Sequence, residues 1–153
     1  MANTYTQIYM HVVFAVSARA CVIRAERKEE LQKYLSGIVS GQKQKLIAVH
    51  CMPDHTHILL GMKPDAALSS IVGKIKSGST NHINEQRWLG CRFFWQEGFG
   101  GFSVSHSHVP RVAQYIANQE RHHRRKSFQR EYLDFLERHQ IPHDERYLFA
   151  PIE

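Results

Sequence analysis

The stretch MPDHTHILLGM, residues 52–62, decides the predicted fold of this chain. It belongs to two apolar segments, KLIAVHCM at 45–52 and HTHILLGM at 55–62, which lie on either side of Pro53 and Asp54. Pro and Asp are favoured in tight turns, and short runs of aliphatic and β-branched residues are typical of strands. The stretch therefore predicts a hairpin of two antiparallel strands.

The two histidines of this hairpin share one face of its second strand. Side chains alternate along a strand, so His55 and His57 point to one side of the sheet, whereas Ile58 and Leu60 point to the other. The aliphatic side suits packing against helices, which leaves the histidine side for function or for additional helices. A separation of about 6.6 Å along the strand allows two imidazoles to bind one metal ion. Two hydrogen-bonded strand histidines without an ion fit the same spacing.

The rest of the chain supplies an alternating order of strands and helices. Apolar residues recur at strand or helix spacing in segments that turn residues separate. These segments are a strand at 6–16, helices at 26–41 and 65–86, a loop and fourth strand at 93–105, a helix at 109–120 that opens with Pro110, and a last helix after a Ser127 N-cap. The order β-α-β-β-α-β with two further helices predicts an α+β, ferredoxin-like (RRM-like) single domain over residues 1–153, with a four-stranded antiparallel sheet.

The composition indicates a globular, basic protein. Hydrophobic residues make up 42% of the 153 residues, which excludes a disordered chain. The net charge of +6, without the eleven histidines, favours a polyanionic partner such as nucleic acid. No apolar run reaches the roughly 18 residues of a membrane span and no signal peptide is recognisable, so we expect a cytoplasmic location and no membrane partner. Cys21, Cys51 and Cys91 form no CxxC pair, which predicts small buried thiols.

The segment VPRVAQYIANQE, residues 109–120, carries a tyrosine and a glutamine at helical spacing. Tyr115 and Gln119 are four residues apart, so one helix face presents both side chains. A core tyrosine with a bonded hydroxyl explains Tyr115 as well, but a buried glutamine amide needs several hydrogen-bond partners. Near a metal ion the Gln119 carbonyl oxygen would be a third ligand after His55 and His57, and oxygen ligation suits Mg²⁺ or Mn²⁺.

Basic residues cluster directly after this segment, in RHHRRK at 121–126. A solvated loop and a patch that contacts phosphates both fit such a run. The candidates for such phosphate contacts are Arg121, Arg124 and Arg125, with Lys74 and Lys76 as weaker ones. The pair His122-His123 is interpreted as part of a solvated turn and the triplet at 106–108 as the approach to a helix, so neither is assigned to a metal.

Three segments in this order resemble one family, the HUH single-tyrosine transposases of the insertion-sequence 200/605 type with their repeat-associated relatives. MPDHTHILLGMKP is similar to the HUH motif, WQEGFGGFSVS to the segment between the second helix and the tyrosine helix, and VAQYIANQERHH to the helix that carries the nucleophile. The resemblance covers nearly the whole chain. Thr56 departs from the bulky hydrophobic residue in the middle of the motif, but its side chain points away from the histidines.

The resemblance implies a DNA transposase that cleaves and rejoins single-stranded DNA through a covalent 5′-phosphotyrosine intermediate. Tyr115 would be the nucleophile, and His55, His57 and Gln119 would hold Mg²⁺ or Mn²⁺. The family also implies single-stranded DNA with hairpin ends as the partner and a homodimer, in which a tyrosine helix completes its own site or that of the other chain. Such an enzyme would act at the nucleoid of a prokaryotic cell.

Two other functions fit parts of the pattern. A non-catalytic nucleic-acid-binding module of the RRM type would stack bases on aromatic residues of its central strands. Here the third strand has His-Thr-His instead, and Phe93, Phe94 and Trp95 suit a core position better than a stacking platform. A metal-dependent phosphodiesterase with water as the nucleophile would use the histidines but would leave Tyr115 without a role. Both are less favoured than a transposase.

Overall fold

The computed structural model describes residues 3–17 and 22–148, and this part of the chain has the predicted order of strands and helices. The strands are β1 (Ile8–Ala15), β2 (Lys45–Cys51), β3 (His55–Met62) and β4 (Gly100–Val104). The helices are α1 (Lys28–Gly41), α2 (Leu68–Glu85), α3 (Val109–Ala117), α4 (Gln119–His122) and α5 (Phe128–Arg138). Among these helices, none combines the length and apolar character that crossing a membrane requires.

The four strands form one antiparallel sheet in the order β2-β3-β1-β4. The hairpin of β2 and β3 turns at Pro53 and Asp54, where the Met52 N–H donates to the His55 carbonyl at 2.8 Å. On its other side β3 pairs with β1, and His57 lies opposite Val13 there. The predicted α+β, ferredoxin-like fold is confirmed, and β3, which carries the histidine pair, is one of the two central strands.

Helices α1 and α2 pack on one face of the sheet and form the larger core. Ile58 and Leu60 of β3 lie on this face and are fully buried, as the alternation of the strand predicted. Other buried members of this core are Val12, Phe14, Leu31, Leu35, Ile71 and Ile75. Removal of these apolar side chains from water fixes which face of β3 turns inward to α1 and α2.

The C-terminal helices cover the other face of the sheet. A second apolar cluster holds them there, and its buried members are Val13, Ala15, Phe102, Phe128, Phe135 and Leu136. Phe102 of β4 and Phe135 of α5 stack with ring centroids 5.1 Å apart. Helix α5 starts after Ser127, whose Oγ accepts the Arg130 N–H at 3.2 Å, which confirms the predicted N-cap. The histidine face of β3 is therefore buried under helices.

The predicted helix at 109–120 is two helices in the structure. Pro110 lies in the first turn of α3, as predicted, and α3 ends at Ala117. Asn118 leaves the helical conformation with φ −95° and ψ 20°, and α4 begins at Gln119. Asparagine favours helix ends because its side chain competes for backbone hydrogen bonds. Gln119 nevertheless stays close to Tyr115, with its Nε2 3.5 Å from the Tyr115 carbonyl oxygen.

The prediction of three buried thiols is wrong in one part. Cys51 is free and buried at the end of β2, as predicted. Cys91 is exposed and disulfide-bonded, and Cys21 lies outside the described residues. Spacing in the sequence does not reveal such a bond, because a disulfide depends on which segments the fold brings together.

The aromatic segment before β4 belongs to the core. Phe93 and Trp95 are buried, and Trp95 Nε1 donates to Ser79 Oγ at 2.9 Å, whereas Phe94 is 47% exposed. Asn84 of α2 fixes this segment, since its Nδ2 donates to the Phe93 carbonyl at 3.0 Å and its Oδ1 accepts the Phe93 N–H at 2.8 Å. The core interpretation is confirmed for Phe93 and Trp95 and is wrong for Phe94.

Replacing Asn84 with alanine should lower the free energy of unfolding by about 1–3 kcal/mol, because both peptide groups of Phe93 would lose their partners. Urea unfolding followed by tryptophan fluorescence measures this loss. Asn81→Ala is the matched control, since Asn81 is exposed on the same helix, and its replacement should change the unfolding free energy by no more than about 0.5 kcal/mol. Equal losses in the two variants would contradict the role given to Asn84.

Candidate metal and nucleophile site

His55 and His57 lie side by side at the start of β3, on the face that the C-terminal helices cover. Both are buried, and their ring centroids are 5.1 Å apart. The phenyl ring of Phe128 stacks on His55 with a centroid distance of 4.2 Å. Strand alternation therefore brings the two imidazoles of the motif into one enclosed pocket beneath α5.

A third imidazole, that of His123, joins this pair from the turn after α4. In each of the three rings the Nδ1 atom has a hydrogen-bond partner that fixes the orientation of the ring. The partners are the Asp54 carboxylate for His55 at 2.7 Å, Nε2 of His11 for His57 at 2.9 Å, and the Lys126 carbonyl for His123 at 2.7 Å. Because every Nδ1 is occupied in this way, the three Nε2 atoms face a common centre.

The carboxylate of Glu131, from α5, occupies this centre. Its Oε1 lies 2.9 Å from Nε2 of His57, 3.1 Å from Nε2 of His123 and 3.6 Å from Nε2 of His55. Glu131 is only 2% exposed. One ligand atom from each of these four residues lies within 4.8 Å of the others. Imidazole nitrogens and a carboxylate oxygen at such spacing can hold one divalent metal ion.

Burial and hydrogen bonding set the charges of this cluster. Burial lowers the pKa of His57 to about 4, although Glu131 opposes the shift, and burial together with His57 lowers the pKa of His11 to about 3. Burial opposes ionisation of Glu131, yet hydrogen bonds from His123 and His57 hold its pKa well below the usual range. Burial also disfavours a charged His123, but the hydrogen bond to Glu131, the charge of that carboxylate and the hydrogen bond to the Lys126 carbonyl together raise the pKa of His123. The carboxylate is therefore ionised, and His57 is neutral, as metal ligands must be.

Tyr115 contacts the same carboxylate from α3. It is half-buried, its hydroxyl donates to Oε2 of Glu131, and its Oη lies 3.2 Å from Nε2 of His122. Its ring centroid is 6.0 Å from that of His57. Burial, followed by the hydrogen bond to Glu131 and the charge of that carboxylate, raises the pKa of Tyr115 above its usual range. The hydroxyl is therefore protonated here, and a nearby cation would favour its ionisation.

Gln119 is the first residue of α4 and is fully buried. Its Oε1 lies 3.4 Å from Nε2 of His55. The structure thus places the amide oxygen at the rim of the imidazole cluster, beside both His55 and the helix that carries Tyr115. An amide oxygen in this position can add a ligand to an ion held by the histidines.

The five basic residues predicted to contact DNA fall on two sides of the sheet. The exposed ones in and after α4, close to the site, are Arg121, Arg124 and Arg125. Lys74 and Lys76 belong to α2, on the opposite face of the sheet. Lys76 is half-buried, and its ammonium group donates to the Gln96 carbonyl at 2.8 Å and to the Gly98 carbonyl. Lys76 therefore fastens the loop before β4.

His123 and Glu131 are the site residues that sequence reasoning missed. The interpretation of the His122-His123 pair as part of a solvated turn is wrong, since only 10% of the His123 side chain is exposed and its Nε2 contacts a buried carboxylate. A signal for Glu131 was present in the sequence. It lies three residues after Phe128 and four before Phe135, on the apolar stripe of α5, where a carboxylate needs a buried partner.

Two cavities with basic residues in their walls open at Tyr115. The smaller one, of about 50 Å³, includes Lys126 and Arg138. The larger one, of about 380 Å³, lies between β4, α3 and α5 and includes Arg111 and Arg138. A separate cavity of about 370 Å³ reaches His123 from the side of α1. Tyr115 therefore lines two cavities, whereas the imidazoles of His55 and His57 are buried.

Known proteins with similar sequences are transposases. A family model described as "Transposase IS200 like" matches residues 4–119. The ISDra2 transposase TnpA of Deinococcus radiodurans is 26% identical over 120 residues, which cover 74% of this chain and 84% of that protein. The transposase for insertion sequence element IS200 of Salmonella typhimurium is 25% identical over 124 residues, which cover 78% of this chain and 81% of that protein.

Two solved structures share the fold. A crystal structure described as a transposase of Deinococcus radiodurans has a TM-score of 0.59 and 25% identity, and the match covers 78% of this chain and 95% of that one. A REP-associated tyrosine transposase bound to a REP hairpin has a TM-score of 0.61 and 16% identity, with 80% and 73% covered. Since the family match spans most of the sequence, the chain belongs to the IS200-like transposases, the HUH single-tyrosine family that its motifs resemble.

Proposed function

We propose that this transposase cleaves and rejoins single-stranded DNA through a covalent 5′-phosphotyrosine intermediate formed on Tyr115. The proposal rests on two contacts of the Glu131 carboxylate. Its Oε2 accepts from the Tyr115 hydroxyl, and its Oε1 contacts Nε2 of His57. A hydroxyl and an imidazole cluster that share one carboxylate are close enough to act on the same phosphate group. An endonuclease and strand transferase with a protein nucleophile needs both.

His55, His57 and Gln119 fit the Mg²⁺ or Mn²⁺ ion that the family resemblance implies. Both histidines have Nδ1 bound to a protein partner and Nε2 aimed at the centre of the cluster, and the Gln119 amide oxygen lies beside them. When bound, the ion would polarise a non-bridging oxygen of the scissile phosphate and stabilise the leaving 3′-oxygen. The three residues supply two nitrogen ligands and one oxygen ligand and leave positions open for the phosphate.

Tyr115 would exchange one phosphodiester bond for another. Its Oη attacks phosphorus, the Oη–P bond forms and the P–O3′ bond breaks, so the DNA gains a free 3′-OH and its 5′-phosphate stays on the tyrosine. The phenol, which donates a hydrogen bond to Glu131, loses its proton to water, and the leaving 3′-oxygen takes a proton from water. Rejoining reverses the exchange with a 3′-OH as the nucleophile, so the bond energy is conserved without ATP.

Basic residues mark the path that we propose for the DNA strand. Arg138 lines both cavities that open at Tyr115, and its positive charge favours the ionised tyrosine. We expect its guanidinium to contact the scissile phosphate or a phosphate next to it. Further backbone contacts are proposed for the exposed residues Arg121, Arg124 and Arg125. Lys74 and Lys76 lie on the far face of the sheet, and the Lys76 ammonium group is already engaged by two backbone carbonyls.

We propose hairpin-ended single-stranded DNA as the partner, in line with the family resemblance. One structure of the same fold is described as bound to a REP hairpin, although at 16% identity that likeness supports the fold alone. A homodimer is likewise expected from the resemblance. Tyr115 and His57 of one chain share Glu131, so a dimer can work with each tyrosine helix in its own site.

The two alternative functions are less favoured. A module of the RRM type leaves the face of its central strands open for bases, whereas α5 packs on that face here. A phosphodiesterase that activates water would leave Tyr115, with its hydroxyl at the carboxylate of the cluster, without a function.

Replacing Tyr115 with phenylalanine should abolish covalent attachment to DNA, because the attacking oxygen is removed. The measurement uses a 3′-labelled single-stranded oligonucleotide with a hairpin from the DNA that flanks the gene, plus Mn²⁺, on a denaturing gel. Tyr34→Phe, on α1, is the control and should give the adduct of the unmodified protein. An adduct that survives in Tyr115→Phe would refute the assignment, and cleavage without an adduct would favour a water nucleophile.

His57→Ala should abolish cleavage and leave much of the DNA binding, since the change removes a metal ligand and not a phosphate contact. Cleavage is measured on the same oligonucleotide, and binding by fluorescence anisotropy. EDTA should have the same effect on the unmodified protein. His143→Ala, on the exposed C-terminal segment, should retain both activities. Undiminished cleavage in His57→Ala would rule out the metal role.

Arg138→Ala should weaken the binding of a single-stranded oligonucleotide about tenfold at low salt, since a charge-assisted contact to phosphate is lost. Arg130→Ala serves as the control. Arg130 is exposed on the same helix, where it pairs with Asp134 and Glu137. Anisotropy titrations at several salt concentrations compare the two variants, and equal effects would contradict a specific contact by Arg138.

A further inference from the structure

We infer that the C-terminal segment supplies two further metal ligands, His123 and Glu131, so that the site is a three-histidine, one-carboxylate centre for a transition-metal ion. The inference rests on the proposed function in one respect, namely that the ion in this centre would be the one that assists the attack by Tyr115. Both residues lie beyond residue 119, where the family match ends.

The first support is the convergence of the ligand atoms. Nε2 of His57 and of His123 lies 2.9 Å and 3.1 Å from Oε1 of Glu131, and Nε2 of His55 lies 3.6 Å from it. Metal–nitrogen and metal–oxygen bonds to such ligands are about 2.0–2.2 Å long. An ion would fit between these atoms after small side-chain movements, since the four ligand atoms lie within 4.8 Å of one another.

The second support is the set of partners behind the imidazoles. Histidines that bind metal almost always use the other ring nitrogen for a carboxylate, a backbone carbonyl or water, which fixes the tautomer and the ring orientation. His55 has a carboxylate in this place and His123 a backbone carbonyl. His57 has the buried Nε2 of His11. His123, from a different element, is thus oriented in the same manner as the two histidines of the motif.

The chemistry of the ligands selects the class of metal. Three imidazole nitrogens and one carboxylate oxygen suit Mn²⁺, Co²⁺ or Zn²⁺, with affinity rising in the Irving–Williams order, whereas Mg²⁺ prefers oxygen ligands and retained waters. Gln119, with its Oε1 3.4 Å from Nε2 of His55, would be a fifth ligand at the rim. Since Glu131 belongs to α5 and the histidines to β3, the ion would also fasten α5 to the sheet.

Calorimetric titration of the metal-free full chain with Co²⁺ and with Mg²⁺ tests the ligand set. We expect one Co²⁺ per chain, much weaker binding of Mg²⁺, and a loss of Co²⁺ affinity of at least about tenfold in Glu131→Gln and in His123→Gln. The visible absorption bands of bound Co²⁺ should change in both variants. The controls Glu137→Gln and His143→Gln alter exposed residues of the same C-terminal region and should keep the affinity and spectrum of the unmodified protein.

A second measurement needs no variant and is insensitive to folding defects. In the Co²⁺-loaded chain, proton NMR should show hyperfine-shifted ring N–H signals from three histidines. Signals from two histidines, or Co²⁺ affinity and spectra that stay unchanged in Glu131→Gln and His123→Gln, would overturn the inference. If only His57→Ala lost Co²⁺, the inference would fail but the proposed function would stand. If Glu131→Gln, His123→Gln and His57→Ala all retained Co²⁺, the metal role would be removed from the inference and from the proposed function.

Discussion

The buried carboxylate of Glu131 is the constraint on which the rest of the site depends. A carboxylate that is 2% exposed is stable only if charged or polar groups take the place of water around it. The imidazoles of His57 and His123 contact one oxygen of the carboxylate, and the Tyr115 hydroxyl donates a hydrogen bond to the other. Satisfying this one group fixes the position of α5 on the sheet, the orientation of the imidazoles and the place of the tyrosine.

The central strands can carry such a site because one face packs in the core, whereas the other face presents the histidines. On one face Ile58 and Leu60 join the core of α1 and α2, which sets the register of β3 through hydrophobic burial. A slip of one residue would move every side chain to the other face, so the same burial also fixes where His55 and His57 point. The precision of the site is therefore a consequence of the core behind it.

Local patterns in the sequence predicted the element order, the shared face of the β3 histidines and the N-cap at Ser127, because each depends on neighbours along the chain. The contact between His57 and Glu131 joins residues that are 74 positions apart, and only tertiary packing creates it. His123 was missed because the charged residues around it suggest solvent. Glu131 broke the apolar pattern of its helix, and such local conflicts are where functional residues are expected.

In the proposed mechanism, Glu131 would couple the metal site to Tyr115, the proposed nucleophile, through its two oxygens. Its negative charge would strengthen the attraction for a cation at the imidazoles. Burial, together with the hydrogen bond to Glu131 and the charge of that carboxylate, raises the pKa of Tyr115. A divalent ion beside Glu131 would offset that charge and favour the phenolate. The proposed ion would therefore act at the nucleophile as well as at the phosphate.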